Sequence, residues 1–153
     1  FFDGVTEAVG EVGGFSVTVR DRRFYLIEAA EKGMAWMRLT ADGTAGHGSM
    51  RHPDNVVTRL AGAVARIGQH QWPIQLTDTM QVLLAAVGEY VGVDATPDNA
   101  EELITEFGPA ARMLGAVLQD TTNPTMLNAG YKVNVVPGQA SGHIDGRFLP
   151  GHR

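Results

Sequence analysis

A chain of 153 residues with 44% hydrophobic content and 19% charged residues can bury one sizeable core, which excludes a disordered polymer. A net charge of −5 without a Lys/Arg run argues against nucleic acid or an anionic membrane as a partner, and no apolar run approaches the ~20 residues that span a bilayer. With no cysteine, disulfides and thiolate-held zinc are excluded, so a metal would fall to His, Asp, Glu or carbonyl oxygens, and a reducing, cytoplasmic setting fits.

In chain order, "FSVTV" from Phe15 alternates apolar and polar residues and "RFYLIEAA" from Arg23 is aromatic and aliphatic. Both read as strands, with "RDRR" as the turn between them. "MAWMRLTADG" from Met34 is a third strand, with Trp36 and Leu39 expected in the core and Asp42-Gly43 ending it. Val56, Val57, Leu60, Ala63, Val64 and Ile67 recur at helical spacing behind Asp54, the expected N-cap, and Trp72-Pro73 blocks continuation. "TDTMQVLLAAVGEYV" from Thr77 predicts a second amphipathic helix, capped by Thr77 or Asp78. "TPDNAEELITEF" predicts a third, with Pro97 in its first turn, and Pro109 starts a short fourth. From "TTNPTMLNAG" the pattern returns to strands, "KVNVVPG" and "QASGHIDGRFLPG" being separated by Pro137-Gly138. Strands, then helices, then strands argue for an α+β two-layer sandwich, an antiparallel sheet with helices on one face.

Few residues stand out as chemistry. His47 lies between Gly46 and Gly48 ahead of a helix, where glycines let the backbone approach a ligand and expose the imidazole; a structural turn explains the same pattern. Glu11 in "VGEVGGF" is an acid beside glycines that fits a divalent cation, or else a solvated loop carboxylate. Asn134 and Arg147, on successive strand candidates, fit an amide and guanidinium gripping a substrate carboxylate, although Arg147 is also spaced to pair with Asp145. His52, His70 and His152 sit in polar loops, His143 reads as an exposed strand residue, and no phosphate-binding loop or serine-nucleophile elbow is present.

Taken in order, "GEVGGF", "EKGMAWMRLTADGTAGHGSM", "DNVVTRLAGAVARI", "NPTMLNAGYKVNVVPGQASG" and "IDGRFLPG" resemble the M20 metallopeptidase and aminoacylase family. The resemblance runs from the end of its catalytic domain into its lid, or dimerisation, domain. It implies catalytic-domain strands over residues 1–32 and a ferredoxin-like lid over 33–153, incomplete after "RFLPG" and carrying a helical insertion at about 74–118. It implies a fragment of a hydrolase with two zinc ions, cobalt or manganese being possible, that cleaves a peptide or N-acyl amino acid beside a free carboxylate. Glu11 is similar to the family's late metal ligand, Val12 being a departure from the usual Gly-Glu-Gly-Gly-Gly. His47 is similar to the lid histidine that crosses a homodimer interface to stabilise the oxyanion, and Asn134 and Arg147 to the residues that hold the carboxylate. The remaining metal ligands and the general base are expected before Phe1 and after Arg153. The competing expectation is a non-catalytic dimerisation or binding module with the same lid-like fold.

Overall fold

The computed structural model describes residues 3, 4, 6, 7 and 14–151. They divide into two compact units, one made of residues 1–31 and 76–118, the other of 32–75 and 119–153.

In the first unit, β1 (Ser16–Val19) and β2 (Arg22–Tyr25) form an antiparallel hairpin in which Val19 faces Arg22. The turn is only Arg20 and Asp21, tighter than the "RDRR" expected, because Arg20 takes a left-handed φ of 54° and leaves Arg22 and Arg23 in the strand. The helices are α2 (Asp78–Val91), α3 (Ala100–Thr105) and α4 (Ala111–Gly115), the last entered through a 3₁₀ turn at Gly108–Ala110 that contains Pro109. Thr77 caps α2 as expected, its hydroxyl accepting the Met80 amide at 3.4 Å, and Gly92 at φ 83° ends it. Pro97 lies outside α3 rather than in its first turn. Asn99 accepts the Thr96 amide and donates to the Asp94 carbonyl, both at 2.8 Å, and holds that stretch as a loop up to Ala100. Phe107, 1% exposed, meets Phe24 edge-on with centroids 6.3 Å apart, and Leu84 and Val87 are fully buried.

The second unit is an α+β sandwich. Its sheet consists of β3 (Gly33–Asp42), β5 (Thr121–Ala129) and β7 (Gln139–Phe148), antiparallel in the order β3-β7-β5. The last strand lies between the two earlier ones, and α1 (Val56–Gln69), which follows β3, packs on all three strands. This is the split arrangement of a ferredoxin-like sheet. Ala140 and Ile144 of β7 are buried, and Ala140 joins Ala41, Val56 and Leu60 in the core, with Leu39 and Val64 packed against it. The period of two therefore turns Ser141, His143, Asp145 and Arg147 to the opposite face. Trp36 pairs with Asp145, shares that outer face and is 75% exposed, so it is not a core residue. Trp36 and Leu39 stand an odd number of residues apart and cannot face one way in a strand. His143 is half-buried rather than exposed.

Helix α1 is capped by Asn55, not Asp54: the Asn55 side chain accepts the amides of Val57 at 2.9 Å and Thr58 at 3.3 Å. Replacing Asn55 by alanine leaves both amides without that acceptor and is expected to lower stability by about 1 kcal/mol, read as a fall in urea midpoint at constant slope. An unchanged midpoint would show that water satisfies the helix end equally well. Among the described residues no helix is long and apolar enough to cross a membrane.

Candidate functional site

The segment between β3 and α1 runs out along the end of the sheet and is fixed there by hydrogen bonds. Gly43 donates to the Gly138 carbonyl at 2.9 Å, and the Thr44 amide donates to Asp54 Oδ2 at 3.1 Å. The Thr44 amide, then Asp54's own backbone amide, holds the Asp54 carboxyl below the ordinary aspartate range. Next come two residues of strand, β4 (Gly46–His47), paired antiparallel with β6 (Val135–Val136), His47 opposite Val135. The Gly48 amide then donates to the Asn134 carbonyl at 2.8 Å, which brings His47 and Asn134 into one short ladder.

The His47 ring is exposed, and its Nδ1 lies 2.8 Å from Ser49 Oγ and accepts the Ser49 amide at 3.3 Å. A backbone N–H can only donate, so the neutral ring carries its proton on Nε2. Among the described residues Nε2 has no hydrogen-bond partner, and neither has the Asn134 carboxamide. The result is a donor and an amide at the tip of one ladder, both open to a ligand.

The glycines beside His47 have a different use from the one expected. A Cβ at Gly46 would run into Cε1 of His52, and one at Gly48 would stand 3.3 Å from the Asn134 carbonyl, so both spaces are filled by the protein. His52, set aside in the sequence, also places Nε2 2.9 Å from the His47 carbonyl. No sequence signal points to it, since its partners are a main-chain oxygen and the bare Cα of Gly46.

Arg147 is elsewhere. It lies on the outer face of the sheet, opposite Met34 on one side and Thr121 on the other, and donates from Nε and Nη2 to Asp145 at 2.8 and 3.1 Å. The Asp145 pairing anticipated from the spacing is thus present, on side chains 41% and 31% exposed, and Nη1 takes no part in it. Along β7, Arg147 is eight residues from Gln139, the residue that ends the ladder nearest His47; that is roughly 27 Å of extended strand. Within one chain, His47 and Asn134 are neighbours and Arg147 is not with them.

Close to Arg147, Lys32 donates to the Gln119 carbonyl at 2.6 Å, and burial, with the Arg147 charge adding and Asp120 opposing, lowers the Lys32 pKa. The expected metal ligand Glu11 lies outside the described residues. Among the described residues no group of three His, Asp or Glu side chains is arranged to hold a metal ion.

The split sheet, single covering helix and histidine ladder define a lid-type α+β domain. Residues 29–153 match the family model for the M20 peptidase dimerisation domain, and the chain belongs to that family. It is 30% identical over 132 residues to the human N-fatty-acyl-amino acid synthase/hydrolase PM20D1, a match covering 82% of this chain and 26% of that protein. It is 29% identical over 126 residues to the probable carboxypeptidase S-like 2 of Dictyostelium discoideum, over 79% of this chain and 24% of that one. The M20 family metallo-carboxypeptidase Sso-CP2 of Sulfolobus solfataricus aligns in structure with a TM-score of 0.49 at 18% identity, covering 80% of this chain and 36% of that chain. The chain spans about a quarter of the length of the curated relatives it matches.

Proposed function

We propose that this chain is the lid and dimerisation segment of an M20-type amidohydrolase or peptidase that cleaves an amide bond next to a free carboxylate. The supporting observation is the His47 ladder: Ser49 holds Nδ1 as an acceptor, and the exposed Nε2–H is left to donate to a carbonyl oxygen as negative charge develops on it. Asn134, tied to the same ladder through Gly48, supplies an amide beside that oxygen or the carboxylate. Arg147 binds the carboxylate with its guanidinium fork, exchanging part of its pairing with Asp145 for the substrate. Met34, Trp36 and Met126 are exposed, and their pairing with Arg147, Asp145 and His143 sets them on the same face as Arg147. They favour a substrate with an apolar acyl group, the class named in the human relative. Zinc is the metal proposed for the complete enzyme, with cobalt or manganese as substitutes and Glu11 among the ligands; when bound it polarises the carbonyl and activates water.

The separation of His47 from Arg147 favours a site shared by two copies, His47 and Asn134 of one subunit meeting Arg147 of the other across a two-fold axis. A mixing experiment on the full-length protein tests this. His47→Ala and Arg147→Ala homodimers, each impaired alone, are expected to regain about a quarter of wild-type turnover when dissociated and reassembled in equal amounts. Half of the random dimers are then mixed, and one of the two sites in each has both residues. No recovery, with mixed dimers demonstrated by differential tagging, refutes the shared arrangement.

A further inference from the structure

We propose that His52 is a positioning residue that holds His47 in its working orientation, an inference that rests on the reading of His47 above and extends it to a second histidine. Two independent contacts carry it. His52 Nε2 lies 2.9 Å from the His47 carbonyl oxygen, and because a carbonyl only accepts, Nε2 carries the proton. The edge of the same ring fills the space over Gly46, where a Cβ would collide with Cε1. The His47 carbonyl also accepts the Met50 amide at 3.0 Å, so it takes two bonds, one from the turn behind it and one from His52. His52 is itself anchored: the Asn55 amide donates to its carbonyl at 3.3 Å, and Asn55 begins α1.

The chain of support therefore runs from the packed helix through Asn55 and His52 to the backbone of His47. Without His52, an exposed imidazole is oriented by a two-residue strand and by its own turn through Ser49 and Met50, with no hydrogen bond among the described residues linking the His47 backbone to the packed helix. Misplacing a catalytic donor by about 1 Å costs up to a hundredfold in rate, whereas the substrate's grip on Arg147 is untouched. The Nε2–H is present in the neutral ring and in the cation alike, so the brace does not depend on the charge of His52.

The test uses full-length protein labelled with ¹⁵N-histidine, with His52→Phe, His52→Gln and Gly46→Ala variants. His52→Phe keeps a ring and loses the donor; His52→Gln keeps a donor near the Nε2 position; Gly46→Ala expels the ring without changing it. Wild type and His52→Gln are expected to show His47 as a single tautomer protonated at Nε2, and His52→Phe and Gly46→Ala to show averaged tautomers. Turnover of an N-acyl amino acid is expected to fall about tenfold to a hundredfold in kcat for the latter two, with KM within about twofold of wild type. His47 signals unchanged in both His52→Phe and Gly46→Ala overturn the proposal. So does failure of His52→Gln to restore them, since a merely space-filling role would be met by Phe instead. If His47→Ala leaves turnover intact while the tautomer response appears, the function proposed for His47 fails and the brace stands.

Discussion

Replacing His47 by alanine in the full-length protein is expected to reduce kcat on an N-acyl amino acid by about 10²- to 10³-fold, the loss of roughly 2.7–4 kcal/mol of transition-state stabilisation. KM and bound metal are expected to stay near wild type, because the role proposed for the His47 Nε2–H is to meet charge that develops only as the carbonyl is attacked. The folded state loses little: the ring is exposed and, among the described residues, its hydrogen bonds are to Ser49 alone. Circular dichroism, metal content and steady-state kinetics on the same preparation separate these effects. Unchanged turnover would remove His47 from the site and leave a dimerisation module as the better description of the chain.

Arg147→Ala is expected to be selective for substrate class. On substrates ending in a free carboxylate, kcat/KM should fall on the order of a hundredfold, the equivalent of about 3 kcal/mol of charge-assisted hydrogen bonding. The corresponding amides, which give the guanidinium no anion to hold, should change little. Arg147→Lys restores the charge without the fork and is expected to fall between the two. Stability is affected weakly, since the Asp145 pair is partly exposed and solvent-screened. An equal loss on acids and amides would mean that Arg147 acts through the sheet rather than on the carboxylate.

The longer elements were legible from pattern alone because each carries several turns or pairs of one period. The apolar spacing of Leu60 and Val64 marks α1, Thr77 marks the start of α2, and the alternation from Gln139 marks β7. Misreadings fell where a local cue had two solutions. Asp54 and Asn55 are both good caps, and a tertiary bond to Thr44 takes Asp54 away from the helix. Trp36 and Leu39 are both large and apolar, and only the strand's period separates their faces. The grouping of residues 76–118 with the β1–β2 hairpin is a long-range choice that leaves no periodic trace.

The candidate site divides the same way. His47, Asn134 and Arg147 are candidates by residue type and by likeness to a family, but their distribution over the sheet was not legible. The β4–β6 ladder that joins His47 to Asn134 is too short for any pattern, and nothing local reveals that β7 carries Arg147 to its other end. His52 escaped notice because its partners are a main-chain oxygen and a glycine, neither of which marks a functional group in sequence.

The length of β7 has a consequence of its own. If one end delivers a proton donor to a neighbouring copy while the other grips an anion at home, the strand acts as a ruler between two half-sites. Adding one pair of residues to it would preserve every inward and outward side chain yet shift the two ends apart by roughly 7 Å, far more than a hydrogen bond tolerates. On that reading, positions of the sheet away from the two half-sites are free to vary, whereas the strand's span is tied to the symmetry that brings its two ends into use.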